Sequence, residues 1–117
     1  MSPAELRAHC LSFDGAEETF PFSPGVSVFK VGGRMFALSE LDAESLRVSV
    51  KCEPWLAESL REINPAVIPG YHLNKRHWNT VIIDGSLPDD AVRDMIEDSY
   101  ALVVRQLPRA RRPSPIR

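Results

Sequence analysis

Val26-Ser27-Val28-Phe29-Lys30-Val31-Gly32-Gly33-Arg34-Met35-Phe36-Ala37-Leu38-Ser39, followed by Leu46-Arg47-Val48-Ser49-Val50-Lys51, decides the fold. Val26 to Val31 is rich in β-branched and aromatic residues, and Gly32-Gly33 is a two-residue hairpin signal. Arg34 to Ser39 is then the returning strand. Residues 46–51 alternate cleanly, with Leu46, Val48 and Val50 towards a core and Arg47, Ser49 and Lys51 away from it.

Helical signals flank this meander. Ser2-Pro3-Ala4-Glu5 is a helix start, with Ser2 as cap, Pro3 at the first helical position and Glu5 able to close a capping box. Leu6, Cys10 and Phe13 continue it at helical spacing, and Asp14-Gly15 stops it. Glu17-Glu18 reads as an acidic turn, Thr19 to Phe22 as a short extended piece, and Ser23-Pro24-Gly25 as a turn. Pro54 opens a second helix with Leu56, Leu60 and Ile63 along one stripe, closed by Asn64-Pro65. Residues 66–77 read as loop or irregular strand, and Trp78 to Ile83 as a strand ended by Asp84-Gly85. Pro88 starts the longest helix, with Asp89 and Asp90 well placed against its N-terminal dipole. Val92, Ile96, Val103 and Leu107 are its expected buried stripe, and Pro108 ends it.

The predicted order is α-β-β-β-β-α-β-α. Strands in a run, rather than alternating with helices, imply an α+β fold: an antiparallel sheet of about five strands with helices on one face. The domain spans residues 1–107, and the Arg/Pro-rich residues 108–117 read as a disordered tail.

Bulk properties narrow the function classes. The chain has 117 residues, 44% hydrophobic and 26% charged, as in an ordinary single globular domain. No apolar run approaches the roughly 20 residues of a membrane helix. No secretion signal is evident, so the expected compartment is the cytoplasm. Two cysteines, Cys10 and Cys52, make no disulfide framework and lack metal-type spacing. Residues 105–117 hold five arginines and no acid; taking those from the net charge of −2 leaves −7 on residues 1–104. That balance weighs against a nucleic-acid binder, which usually carries a basic face.

The densest group of functional side chains is Pro69-Gly70-Tyr71-His72-Leu73-Asn74-Lys75-Arg76-His77-Trp78-Asn79-Thr80-Val81. Cations interleaved with flat rings suit a phosphate backbone with stacked bases, an anionic small molecule or a polar protein surface. Arg47 and Lys51 on the outer strand face, with Arg34 and Lys75, form a candidate basic strip across the sheet. Tyr71, in a Gly-flanked loop, is the expected surface ring, and Trp78 at a strand start reads first as core. His72 and His77 lack a nearby cysteine or acid to complete a metal site. No nucleophile elbow or phosphate-binding loop is present. No metal, cofactor or enzymatic activity is expected.

Pro21-Phe22, Gly33-Arg34-Met35-Phe36-Ala37-Leu38, Tyr71 to Trp78, Asp84-Gly85 and the long last helix with Ser99-Tyr100 together resemble the MmcQ/YjbR family over roughly residues 3–107. The family is small, bacterial and α+β, similar to secretion-chaperone-like architectures, and it is commonly labelled DNA-binding. Arg34 stands where the family often has lysine, which keeps the charge and changes the donor geometry. The resemblance implies a DNA-binding module. Phosphate contacts would fall to Lys75, Arg76, Arg34, Arg47 and Lys51, with Tyr71, His77 and Trp78 beside them. The alternative is a protein-interaction or chaperone-like module whose partner docks on the same loop.

Overall fold

A computed structural model describes residues 1–113. Helix α1 (Pro3–Leu11) starts as the sequence predicts: Glu5 N–H donates to Ser2 Oγ at 3.1 Å, and Ser2 N–H to Glu5 Oε1 at 2.8 Å. Strands β1 (Glu17–Thr19), β2 (Ser27–Val31), β3 (Arg34–Ser39) and β4 (Arg47–Lys51) follow, then helix α2 (Pro54–Ile63), strands β5 (Val67–Pro69) and β6 (Trp78–Ile82), and helix α3 (Asp89–Gln106). The strands form one antiparallel sheet in the order β1-β2-β3-β4-β6-β5. Among the described residues no helix is long and apolar enough to cross a membrane.

Several elements depart from the sequence reading. The sheet has six strands, because Val67–Pro69 pairs with β6 as an extra edge strand. Three residues between Asn64-Pro65 and Pro69-Gly70 are too few to show a period of two. The first strand lies at Glu17–Thr19, earlier than the expected extended piece. Glu18 is fixed there by Arg7 at 2.7 Å and Ser27 at 2.7 Å, whereas Pro21 has no N–H for a ladder. On α2 the deeply buried residue is Ala57, and Ile63 is 74% exposed. The chain after α3 does not fray at Pro108: Arg109–Arg111 form a 3₁₀ turn, and Arg111 reaches the Gly32 carbonyl. The end of the expected tail, residues 114–117, lies outside the described residues.

The core lies between the sheet and its helices. Phe29, Val31, Phe36, Val48, Val50 and Val81 from the strands meet Leu6 and Cys10 of α1 and Val92, Ile96 and Val103 of α3. Gly32 and Gly33 turn the β2–β3 hairpin at φ +57° and +83°. A side chain on Gly32 would also come within 2.6 Å of Leu107 Cδ1, so the turn and the helix end both require glycine.

Ser99 joins α3 to the sheet at an unusual place. Ala37 pairs with Val50 and Leu38 with Ser49, so Phe36 and Lys51 come next in that register. Phe36 is also the extra residue of a bulge opposite Phe29 and Lys30 of β2, and a bulge bends its strand. The Ser99 hydroxyl bridges the two strands at this point. Lys51 N–H donates to Ser99 Oγ at 2.8 Å, and Ser99 O–H donates to the Phe36 carbonyl at 2.6 Å. Its neighbour Tyr100 stacks on Phe13 (4.7 Å, 16°), meets Phe36 edge-on (5.3 Å, 83°) and donates to the Asp14 carbonyl at 2.6 Å. Ser99→Ala removes the bridge from a half-buried N–H and a buried carbonyl, so it should cost about 1–3 kcal/mol. A urea denaturation midpoint unchanged by this substitution would contradict the bridge.

Candidate functional site

The loop between β5 and β6 is built by its own polar groups. Asn74 Oδ1 accepts from Arg76 N–H at 2.9 Å, and the Asn74 carbonyl accepts from His77 N–H at 3.3 Å. These bonds close an Asx-type turn just before the strand. Gly70 N–H donates to the Trp78 carbonyl at 2.9 Å, and a Cβ on Gly70 would sit 2.7 Å from Trp78 Cβ. Glycine is therefore demanded by a close approach at Gly70. The His77 carbonyl accepts from Cys52 N–H at 2.8 Å, which ties the loop to the end of β4.

The candidate cations divide between the fold and the surface. Lys75 Nζ turns back to the Gly70 carbonyl at 3.0 Å, so this ammonium braces its own loop. The Lys75 carbonyl accepts from Arg61 of α2 at 2.8 Å, and the same guanidinium nitrogen reaches Asn79 Oδ1 at 3.2 Å. Asn79 Nδ2 then donates to the Ala57 carbonyl at 3.3 Å. Arg61 and Asn79, which sequence reasoning did not single out, thus fasten α2 to the loop and to β6. An arginine one turn from the end of a helix carries no sequence signal for this task. Lys51 Nζ bonds Gln106 Oε1 of α3 at 2.9 Å. Arg34 pairs across the hairpin with Val31, a core residue, and cross-strand partners share a face. It therefore stands on the helix side of the sheet, while Arg47 stands on the other.

The expected basic strip is therefore not continuous. Arg34 and Arg47 lie on opposite faces, and Lys51 and Lys75 bond within the protein. Trp78 is only 9% exposed, so it cannot act as a stacking platform. Regular strand geometry begins only at Trp78, which leaves Lys75 and Arg76 in turns. Arg76 is exposed, and its side chain makes no hydrogen bond or ion pair among the described residues.

What the loop does present is Tyr71, 59% exposed. His72 takes a left-handed φ of +59°, an uncommon conformation for a residue with a side chain. The two rings lie 4.0 Å apart between centroids, and the Arg47 guanidinium sits 5.7 Å from the centre of the Tyr71 ring. Tyr71 N–H donates to Thr80 Oγ1 at 3.0 Å, which draws the loop over the sheet face opposite the helices. Beneath it, Ser49 Oγ lies 2.8 Å from Thr80 Oγ1, and both residues are buried. Ser49 does face away from the helices, as its alternation predicts, but Tyr71 and the β3–β4 connection line a cavity above it.

Neither thiol is activated. Burial pushes Cys52 above its ordinary value, with Asp98 and Glu53 adding to the effect. Burial raises Cys10 to about 12, assisted by Glu18. Among the described residues no three His, Cys, Asp or Glu side chains converge as a metal set.

A six-stranded antiparallel sheet with three helices on one face, and a second face without a helix under a short aromatic-basic loop, defines a class of small bacterial α+β domains. The YjbR family model matches residues 11–102, and the chain belongs to the YjbR family. It is 38% identical over 112 residues to the Escherichia coli K12 protein described as "Uncharacterized protein YjbR", covering 96% of this chain and 95% of that one. It is also 38% identical over 88 residues to "Uncharacterized protein YbdF" of Escherichia coli O157:H7, covering 75% of this chain and 72% of that one. Among solved structures, the Deinococcus radiodurans protein DR2400, with a DUF419 domain, superposes with a TM-score of 0.87 at 39% identity. That match covers 94% of this chain and 84% of the other. A Pseudomonas syringae protein superposes with a TM-score of 0.75 at 26% identity, covering 87% of this chain and 98% of the other.

The different settings of the adjacent cations give a direct contrast. Lys75→Met keeps the stem and removes the bond to Gly70, and should cost about 1 kcal/mol. Arg76→Met should stay within about 0.5 kcal/mol of the parent. Equal denaturation midpoints for the two variants would show that Lys75 does not brace the loop.

Proposed function

We propose that this chain is a non-enzymatic binding module whose contact surface is the Tyr71 loop together with Arg47 on the sheet face that carries no helix. DNA is the partner the family resemblance puts first. The observation that carries the reading is the exposed Tyr71 ring with the Arg47 guanidinium against it. A flat ring beside a cation supports stacking of an unpaired base and contact with its phosphate. Arg76, exposed on the same loop, adds a second cation. The eight residues first considered thus contract to Tyr71, Arg47 and Arg76 as surface contacts.

Two observations weigh on the other side. The first 104 residues are acidic, which repels a polyanion. Trp55 on α2 is 70% exposed, and Ile63, Phe20 and Phe22 are exposed as well. Large apolar side chains at the surface favour a protein partner, the second reading.

Fluorescence anisotropy with single-stranded and duplex DNA at two salt concentrations tests the first reading. The single strand should bind more tightly, with a salt slope of roughly −0.7 per phosphate contacted. Arg47→Gln, Tyr71→Ala and Arg76→Ala combined should weaken binding by at least roughly tenfold. No salt-dependent binding, or binding lost only when the arginines after Leu107 are neutralised, would overturn a site on the domain. A protein retained from nuclease-treated extract in its place would support the second reading.

A further inference from the structure

The cavity under Tyr71 has the features of a built small-molecule site. It measures about 370 Å³ and is lined by the β3–β4 connection on one side and by Arg47, Ser49, Tyr71 and Thr80 on the other. That volume falls in the range of ligand pockets, roughly 300–1,000 Å³.

The hydroxyl pair on its floor has one proton more than it uses. Ser49 and Thr80 are cross-strand partners, and their oxygens share a single hydrogen bond at 2.8 Å. Thr80 Oγ1 also accepts from Tyr71 N–H. Two hydroxyls carry two protons, and the mutual bond takes one. If Ser49 donates to Thr80, the Thr80 proton is left over; if Thr80 donates, the Ser49 proton is. No acceptor for it appears among the described residues. Either way a buried O–H donor serves the cavity, and a buried donor without an acceptor is unfavourable.

The other walls narrow the occupant. The Arg47 guanidinium makes no ion pair among the described residues and is held near Tyr71 by the ring. A cation with several N–H groups beside a hydroxyl donor matches a carboxylate, with one oxygen for each. Tyr71 and Leu38 offer apolar surface to the body of the ligand. Glu40 also lines the cavity and disfavours a second negative charge.

We propose that this cavity binds a small monocarboxylate with a flat apolar body, its carboxylate held by Arg47 and the Ser49–Thr80 hydroxyl pair and its body against Tyr71. The site stands whether or not the protein contacts DNA.

The test is an NMR titration of the full chain with benzoate, and with benzamide as the uncharged counterpart of the same shape. Benzoate should shift the amide signals of Arg47, Ser49, Tyr71 and Thr80 saturably, with an affinity on the order of millimolar, as suits a fragment of this size. Benzamide should bind roughly tenfold more weakly, and Arg47→Gln should bring benzoate down to the same level. Ser49→Ala with Thr80→Val should abolish saturation at these amides. Should that pair fail to fold, Arg47→Gln, an exposed change, still decides the matter. No saturable shift at these residues would overturn the site. Equal binding of benzoate and benzamide, or unaltered benzoate binding by Arg47→Gln, would overturn the carboxylate assignment.

Discussion

One hydroxyl holds the architecture together. At Phe36 strand β3 bulges, beside the point where its paired register with β4 ends. Ser99 joins the two strands from a helix, accepting from one and donating to the other. A side chain bonded to two strands at once fixes both the height and the rotation of α3 on the sheet. Tyr100 then falls against Phe13 and Phe36, and Leu107 reaches Gly32 at the hairpin. The helix layer is thereby committed to one face, which leaves the other free for Tyr71, Arg47 and the cavity.

The loop motif serves the fold more than its composition suggests. Asn74, Lys75, His77 and Trp78 close the turn, brace Gly70 and tie β6 to β4. Backbone carbonyls do much of the accepting, so no acid is needed to hold Lys75. The surface functions pass to neighbours that the motif positions: Tyr71, turned by the left-handed His72, and Arg47, which belongs to a different strand. A cluster of polar side chains in sequence can thus be spent locally while the contact surface assembles beside it.

Local rules made most of the fold legible. The Ser2-Glu5 box, the Gly32-Gly33 turn, the 46–51 alternation and the Val92–Leu107 stripe each depend on residues close in the chain. The failures depend on distant ones. Strand β5 exists because β6 offers it an edge, and Ile63 is exposed because α2 buries Ala57 instead. Lys51 and Lys75 carry charge in the sequence, but their partners, Gln106 and the Gly70 carbonyl, can be identified only after folding. The Ser49–Thr80 pair was likewise invisible, since the alternation marks only which face Ser49 occupies. Tyr71 and Trp78 separated as expected, because a glycine-flanked loop and a strand start impose different burial.

The Lys51 amide gives the most direct measurement of the central claim. Its N–H donates to Ser99 Oγ at 2.8 Å from the end of β4. If the bridge holds, its hydrogen exchange should be as slow as that of central ladder amides and should follow global unfolding. Exchange as fast as in the turns of residues 71–77 would show that Ser99 does not join the strands, and would remove the anchor on which the placement of α3 on one face rests.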